Sequence, residues 1–169
     1  WSGWACRTIS ISGACGTEIL RRGVPTPLPL WSAQALLEAP DVVRAIHRDH
    51  AAAGSDVLTA NTFRTDRRTL AKAGLRDRTR ELVQLAVRLA REGAAEGAPG
   101  RMHLVAGSIA PLEDCYRPDL VPPDSSLRAE HGAEAVELVA ERRPGLLVVA
   151  LGVALSAVPF RIDVNASVL

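Results

Sequence analysis

The sequence predicts an α/β fold in which parallel strands are joined by crossover helices, about the first four βα units of a TIM-type barrel. Three observations predict it. Short apolar or β-branched segments begin at residues 8, 56, 103 and 146, a nearly even step of 43 to 48 residues. Amphipathic helical stretches fill the gaps, the pattern of a parallel sheet. The first three segments each run into a polar or glycine-bearing loop, and in such sheets chemistry gathers in loops at the carboxyl ends of strands. A closed eight-unit barrel takes about 250 residues. At this step, 169 residues hold four units and a tail, a half-barrel.

Residues 1–7 show no period and read as an irregular segment. Thr8 to Ile11 is the first strand, and Ser12-Gly13-Ala14-Cys15-Gly16-Thr17-Glu18 is the turn after it. Pro25, Pro27 and Pro29 remove three backbone donors and extend the chain. This stretch reads as a loop crossing the barrel mouth and ending at Trp31, although its Pro-Leu spacing also suits a proline-rich ligand. Pro40 fits the first position of a helix and Asp41 its first turn. Val43, Ile46, His50 and Ala53 share a face of it, and Gly54 stops it.

The second strand, Asp56 to Thr59, runs into Ala60-Asn61-Thr62-Phe63. A helix from about Arg76 to Glu92 turns Leu75, Thr79, Leu82, Val83, Ala86, Leu89 and Ala90 inward, leaving Arg78, Arg80, Arg88 and Arg91 on a solvated face. Gly93 to Gly100 holds three glycines and Pro99 and reads as a loop. The third strand, His103 to Ala106, leads into Gly107-Ser108-Ile109-Ala110-Pro111. Asp124, Ser125 or Ser126 caps a helix that faces Leu127, His131, Ala135, Leu138 and Val139 inward. The fourth strand, Leu146 to Ala150, lies in an apolar run suited to a strand covered on both faces. Residues 151–169 have neither helix period nor capped start. The domain reading is thus an irregular 1–7, a barrel portion 8–150 and a divergent tail 151–169.

A net charge of +1 gives no electrostatic case for nucleic acid. The nineteen arginines against one lysine reflect coding composition. The apolar run Leu146 to Val158 has 13 residues, short of the roughly 20 a membrane span needs. The amino terminus shows no basic region followed by an apolar run, so no signal peptide is expected. Three cysteines without C-x-x-C spacing predict reduced thiols and a cytoplasmic protein.

Gly13 and Gly16 allow a sharp turn and close approach to a ligand. Asn61 and Thr62, like Gly107, Ser108 and Pro111, suit a ligand or simply the loop. Trp31 and Phe63, two of only six aromatic residues, either line a pocket or pack a core. Cys6 and Cys15 flank the first strand and should lie on the order of 15 Å apart, so the cysteines do not form a metal site. His47 and His50 stand on an outer helix and read as surface or interface residues. His103 begins a strand at the end away from catalysis, and His131 reads as a packing residue. No Ser-His-Asp order, phosphate loop or carboxylate pair stands out.

Gly13-Ala14-Cys15-Gly16-Thr17-Glu18, Trp31-Ser32-Ala33, Val43-Arg44-Ala45-Ile46-His47, Ala53-Gly54-Ser55-Asp56-Val57, Asn61-Thr62-Phe63 and Gly107-Ser108-Ile109-Ala110-Pro111 follow one another in a specific order. The series resembles the amino-terminal half of the homocysteine S-methyltransferase family, zinc-dependent methyl-transfer barrels. The resemblance covers about residues 8 to 143 and fades from Arg143. It implies transfer of a methyl group to the homocysteine thiol, giving methionine, from S-methylmethionine, S-adenosylmethionine, betaine or a folate. It also implies that Ser12, Gly13, Thr17, Glu18, Trp31, Asn61, Thr62, Phe63, Gly107 and Ser108 face substrate; Glu18 equally suits a cap on the following turn.

The sequence departs from the family in three places. Ser12 stands where an aspartate helps hold the substrate amino group. Ala150-Leu151-Gly152 stands where a Glu-Thr pair follows the fourth strand; a shifted reading frame would produce such an end. The family's zinc ligands are cysteines of later strands, and this sequence has no such segment, so no metal ligand is assigned. The expectation is a chain inactive alone, with open sheet edges that favour self-association. The alternatives are a non-catalytic half-barrel that binds a partner chain, and a metal-free barrel enzyme such as a lyase.

Overall fold

The segment Val57–Thr59 forms β1, an outer strand of a small parallel sheet whose central strand is β2. A computed structural model describes residues 9–13 and 15–110, together with the backbone of residues 146–149. Along the chain run α1 (Cys15–Arg21), α2 (Gln34–Glu38), α3 (Pro40–Ala52), β1, α4 (Arg67–Lys72), α5 (Thr79–Gly97), β2 (Leu104–Ser108) and β3 (Leu146–Val149). Short 3-10 turns cover Trp31–Ala33 and Arg76–Arg78. The sheet order is β1-β2-β3, with Val57 opposite Leu104 and Val105 opposite Leu146, and both pairings are parallel. The second, third and fourth expected strands are therefore present, parallel and adjacent in sequence order.

Of the expected first strand, the described residues 9–11 form one parallel bridge, Ile11 to Val57, and Thr8 lies outside them. Ser12 N donates to Val57 O at 2.8 Å, and Val57 N donates to Ser10 O at 3.0 Å. Ser10 also spends its side chain on this junction: its Oγ donates to Gly54 O at 3.0 Å, and its backbone N donates to Asp56 Oδ2 at 3.1 Å. Arg101 holds the other oxygen of Asp56 at 2.6 Å. Side-chain contacts thus dock this edge segment where ladder bonds are few. Ile9 and Ile11 stay 67% and 64% exposed.

Alternation along the strands assigns their faces. Leu58 packs with Ala51 of α3 and Ala94 of α5, so that face carries the helices. The main core joins Ile19, Leu36, Val43, Ile46, Leu70, Leu82, Ala86, Val87 and Val105.

The helices depart from expectation where periodicity is finer than residue type. α3 begins at Pro40, as its sequence predicts, and Gly54 adopts φ +97° beyond its end. Its buried face is Val43, Ile46, His47 and Ala51, the true 3.6-residue stripe. His50 is only partly buried, and Ala53 is exposed beyond the helix. α5 continues to Gly97, through a segment whose glycines read as a loop. The reason is close packing on α3. A Cβ on Gly93 would stand 2.5 Å from Arg44 O and 2.8 Å from Arg48 N, and one on Gly97 would collide with Arg48 O. Glycines four residues apart let the two helix backbones meet.

The Ser12–Glu18 turn is shorter than expected because α1 already starts at Cys15. α1 is tied to α3 by Arg22, whose Nη2 lies 3.0 Å from Glu18 and 2.7 Å from Asp49. No described helix is long and apolar enough to cross a membrane. The capped helix expected from Asp124, residues 1–8 with Cys6, Pro111, the third cysteine Cys115, Ala150 and the tail from 151 lie outside the described residues.

Candidate functional site

The loop after β1 turns back over the sheet because Asn61 and Thr62 bind backbone at its two sides. Buried Asn61 Nδ2 donates to Ser32 O at 2.8 Å, tying this loop to the 3-10 turn that carries Trp31. Thr62 Oγ1 donates to Ser108 O and accepts from Ser108 N, both at 2.8 Å, tying it to the carboxyl end of β2. Thr65 Oγ1 donates to Thr62 O, and Asp66 caps α4 by accepting from Thr69 N at 2.8 Å. Side chains of this loop therefore tie it to the backbone of the elements around it.

Those ties bring two aromatic residues together. The Trp31 and Phe63 rings meet edge to face, with centroids 5.9 Å apart. Trp31 has φ 45°, a left-handed backbone that a bulky residue rarely adopts. Its amide donates to Pro27 O at 2.7 Å. Its indole lies so close to Gly16 that a Cβ there would stand 3.0 Å from the ring. This backbone strain is held in place by packing of the indole on Phe63 and against Gly16. Trp31, Phe63, Asn61 and Thr62 thus gather beside α1, at the carboxyl end of β1.

The other expected residues divide. Ser12 is buried, and its Oγ accepts from Thr59 N at 2.9 Å, so its side chain closes the sheet edge. Gly13 and Thr17 are exposed. Glu18 faces arginines: Arg21 Nη2 lies 2.5 Å from its carboxylate, and Arg22 Nη2 lies 3.0 Å. These hydrogen bonds hold its pKa down at about 2. Gly107 and Ser108 lie inside β2 rather than in the loop after it. Alternation puts Gly107 on the helix-bearing side with Val105, while Ser108 contributes its backbone to Thr62.

His47 corrects the surface reading of the histidines. It is fully buried, and its Nε2 lies 3.9 Å from Cys15 Sγ. Burial, with His50 adding to it, lowers its pKa from 6.5 to about 4. Burial, with the nearby Glu18 carboxylate adding to it, pushes the Cys15 thiol up to about 12. The pair is a neutral thiol beside a neutral imidazole, and the thiol also points to Thr59 O at 3.8 Å. The periodicity that would have shown His47 to be inward was available, at four residues from Val43. His103 matches its expected place: its Nδ1 lies 2.9 Å from Ser55 O at the amino end of β2.

This chemistry does not suit a zinc ion. Zinc takes deprotonated thiolate or neutral imidazole in sets of three or four. Cys15 is held protonated and has one imidazole near it, and no group of three or more His, Cys, Asp or Glu among the described residues could hold a metal ion.

Comparison with known proteins identifies the framework. The homocysteine S-methyltransferase family profile matches residues 10–154. The chain belongs to that family. Homocysteine S-methyltransferase YbgG of Bacillus subtilis is 30% identical over 144 residues, covering 80% of this chain and 44% of that protein. Homocysteine S-methyltransferase of Escherichia coli is 32% identical over 106 residues, covering 60% and 34%. The crystal structure of the metallated form of the E. coli homocysteine methyltransferase MmuM superposes with a TM-score of 0.71 at 28% identity, covering 85% of this chain and 54% of that one. The fold is therefore mixed α/β with a small parallel sheet, similar to that methyltransferase. The chain spans between a third and about half of the length of these relatives, and the metallated form places the family among metal-dependent proteins.

Proposed function

We propose that these 169 residues form the first four βα units of a TIM-type barrel and carry substrate-facing loops of a homocysteine S-methyltransferase. The observation that supports this best is the Trp31–Phe63 pair at the carboxyl end of β1, fixed through Asn61 to Ser32. Homocysteine and a sulfonium or ammonium methyl donor are the ligands. The aromatic pair packs the thioether or the donor methyl groups, excluding water from the transfer path. Asn61, Thr62 and Ser108 shape the loop beneath, and Gly13, Thr17 and Gly107 complete the expected set. Ser12 and Glu18 contribute less, since each is already bound to protein groups.

The family's zinc activates the homocysteine thiol as a thiolate, the nucleophilic form. The described residues do not fit that ion, and the whole sequence has three cysteines. The 169-residue polypeptide is therefore expected to bind ligand without turnover. The engagement of Ser12 and Glu18 by protein groups favours the second reading, a non-catalytic half-barrel that binds a partner chain or nothing. Domain limits at 8–150, a divergent tail at 151–169 and a cytoplasmic location belong to this proposal.

The test is to purify the chain, measure bound zinc, titrate homocysteine and S-methylmethionine by calorimetry, and assay methionine formation with each donor. Binding that disappears in Trp31→Ala, without turnover, is the expected result. Stoichiometric zinc with turnover overturns the inactive reading. Binding indifferent to Trp31 overturns the substrate-facing assignment.

A further inference from the structure

Arg64 follows Phe63 directly, and its guanidinium carbon stands 5.5 Å from the centroid of the Phe63 ring. Phe63 in turn meets Trp31 edge to face, so the cation is the third member of a Trp31–Phe63–Arg64 cluster. Asn61 and Thr62 anchor the loop just before it, and Thr65 and Asp66 anchor it just after. The loop therefore presents Arg64 from a fixed backbone. Its side chain has no ion pair or hydrogen bond among the described residues, and its Nε is buried without an acceptor.

That combination is unusual for an arginine of this protein. Arg21, Arg22, Arg44, Arg48, Arg78 and Arg101 all pair with a carboxylate. Arg64 carries five N–H donors on a planar fork and meets only an aromatic ring. A buried donor without an acceptor is unfavourable unless something else supplies the acceptor. The planar fork matches a carboxylate through two parallel hydrogen bonds, and the ring against the guanidinium accepts neither of them. The Trp31–Phe63 wall gives the same ligand an apolar surface one residue away.

We infer that Arg64 is the carboxylate-binding residue of this site, receiving the α-carboxylate of an amino-acid ligand whose side chain packs on Trp31 and Phe63. The inference rests on the substrate-facing reading of that aromatic pair. The carboxylate belongs either to the thiol acceptor or to the methyl donor, both amino acids under that reading. Arg64 thereby selects for free amino acids over their decarboxylated counterparts.

The test is calorimetry on the full chain with paired probes: homocysteine against 3-aminopropane-1-thiol, and S-methylmethionine against (3-aminopropyl)dimethylsulfonium. Acetate and methionine serve as simple carboxylates. Arg64→Met should weaken the carboxylate-bearing member of one pair about tenfold or more while barely changing its carboxylate-free partner. Arg64→Lys should restore part of the loss, and Arg88→Met, on the exposed face of α5, should change nothing. The pair that loses its discrimination identifies the source of the carboxylate. Thermal melts check that each variant folds, and the Lys variant carries the test if the Met variant does not. Equal loss for both members, loss for neither, or no carboxylate preference in the wild type overturns the inference. Trp31-dependent homocysteine binding that ignores Arg64 sinks this inference alone. Arg64-dependent binding of acetate and methionine, without binding of either thiol or sulfonium probe, preserves it and sinks the methyl-transfer reading.

Discussion

Gly93 of α5 lies so close to Arg44 of α3 that a Cβ on it would stand 2.5 Å from the Arg44 carbonyl oxygen. The obstacle is backbone rather than a flexible side-chain tip, so an added methyl must push the helices apart. Intrinsic helix propensity favours Ala over Gly by about 1 kcal/mol. Overpacking costs about 1–3 kcal/mol and should win. Gly93→Ala is expected to destabilise the chain by up to about 2 kcal/mol in urea unfolding, read as a lower midpoint with unchanged slope. A raised midpoint would show that the crossing is looser in solution.

The buried imidazole of His47 makes stability depend on pH in a defined window. The unfolded chain takes up its proton near 6.5, the folded chain only near 4. Between these values the unfolded state binds more protons, so stability falls as pH drops from about 6.5 to about 4 and this loss then levels off. The full loss is on the order of 3 kcal/mol. His50 on the same helix and Cys15 of α1 face the ring, and neither offers it a negative charge. Glu18 acts lower: its contribution is present above 4.5 and is lost as pH falls toward about 2. Urea titrations of wild type and His47→Gln from pH 7.5 down to about 2 separate the two, because the variant should lose the upper slope and keep the lower. A variant that retains the upper slope would assign it to another group.

The sheet was legible because its signal is regional. A step of 43 to 48 residues survives errors of a residue or two at each strand. The aromatic pair was legible only through the resemblance, since nothing in composition says that residues 31 and 63 meet. What escaped depended on single contacts. Glycine at 93 and 97 means a loop by propensity and a close helix crossing by packing, and only the position of Arg44 and Arg48 decides. His47 was read by residue type, although its place in the stripe Val43, Ile46, Ala51 puts it inward. For Glu18 the sequence leaves a ligand contact and a cap on the following turn equally open, and the pairing with Arg21 and Arg22 one helical turn away shows only in the structure. Arg64 gave no sequence signal, because its distinction is the missing partner.

Cys15 should be chemically silent in the folded chain. The thiolate is the reactive form, and a pKa pushed to about 12 leaves roughly a thousandfold less of it at pH 8 than an ordinary thiol has. Burial blocks reagent as well. Iodoacetamide labelling read by peptide mapping should leave the Cys15 peptide unmodified in buffer and fully modified in urea. Rapid native labelling of that peptide would mean that α1 opens readily or that the thiol is not where the fold puts it.

Thr62 offers the sharpest test of how the site loop is built. Its hydroxyl serves both backbone groups of Ser108, donating to the carbonyl and accepting from the amide, with each contact at 2.8 Å. Thr62 is fully buried and Ser108 nearly so, so water has little room to replace the hydroxyl. Valine keeps the shape and removes the hydrogen bonds, leaving two buried backbone groups without this partner. An unsatisfied buried group costs about 1–3 kcal/mol, and a carbonyl tolerates the loss better than an amide. Thr62→Val is therefore expected to cost about 2–4 kcal/mol, while Thr62→Ser, which keeps the hydroxyl, should cost less than half as much. The loss should also loosen the loop that carries Asn61, Phe63 and Arg64, so amide hydrogen exchange at Ser108 and Phe63 should accelerate beyond the global effect. Equal stability of the valine and serine variants would mean that the loop is held by packing alone, and that the polar tie between β1 and β2 does not position the site.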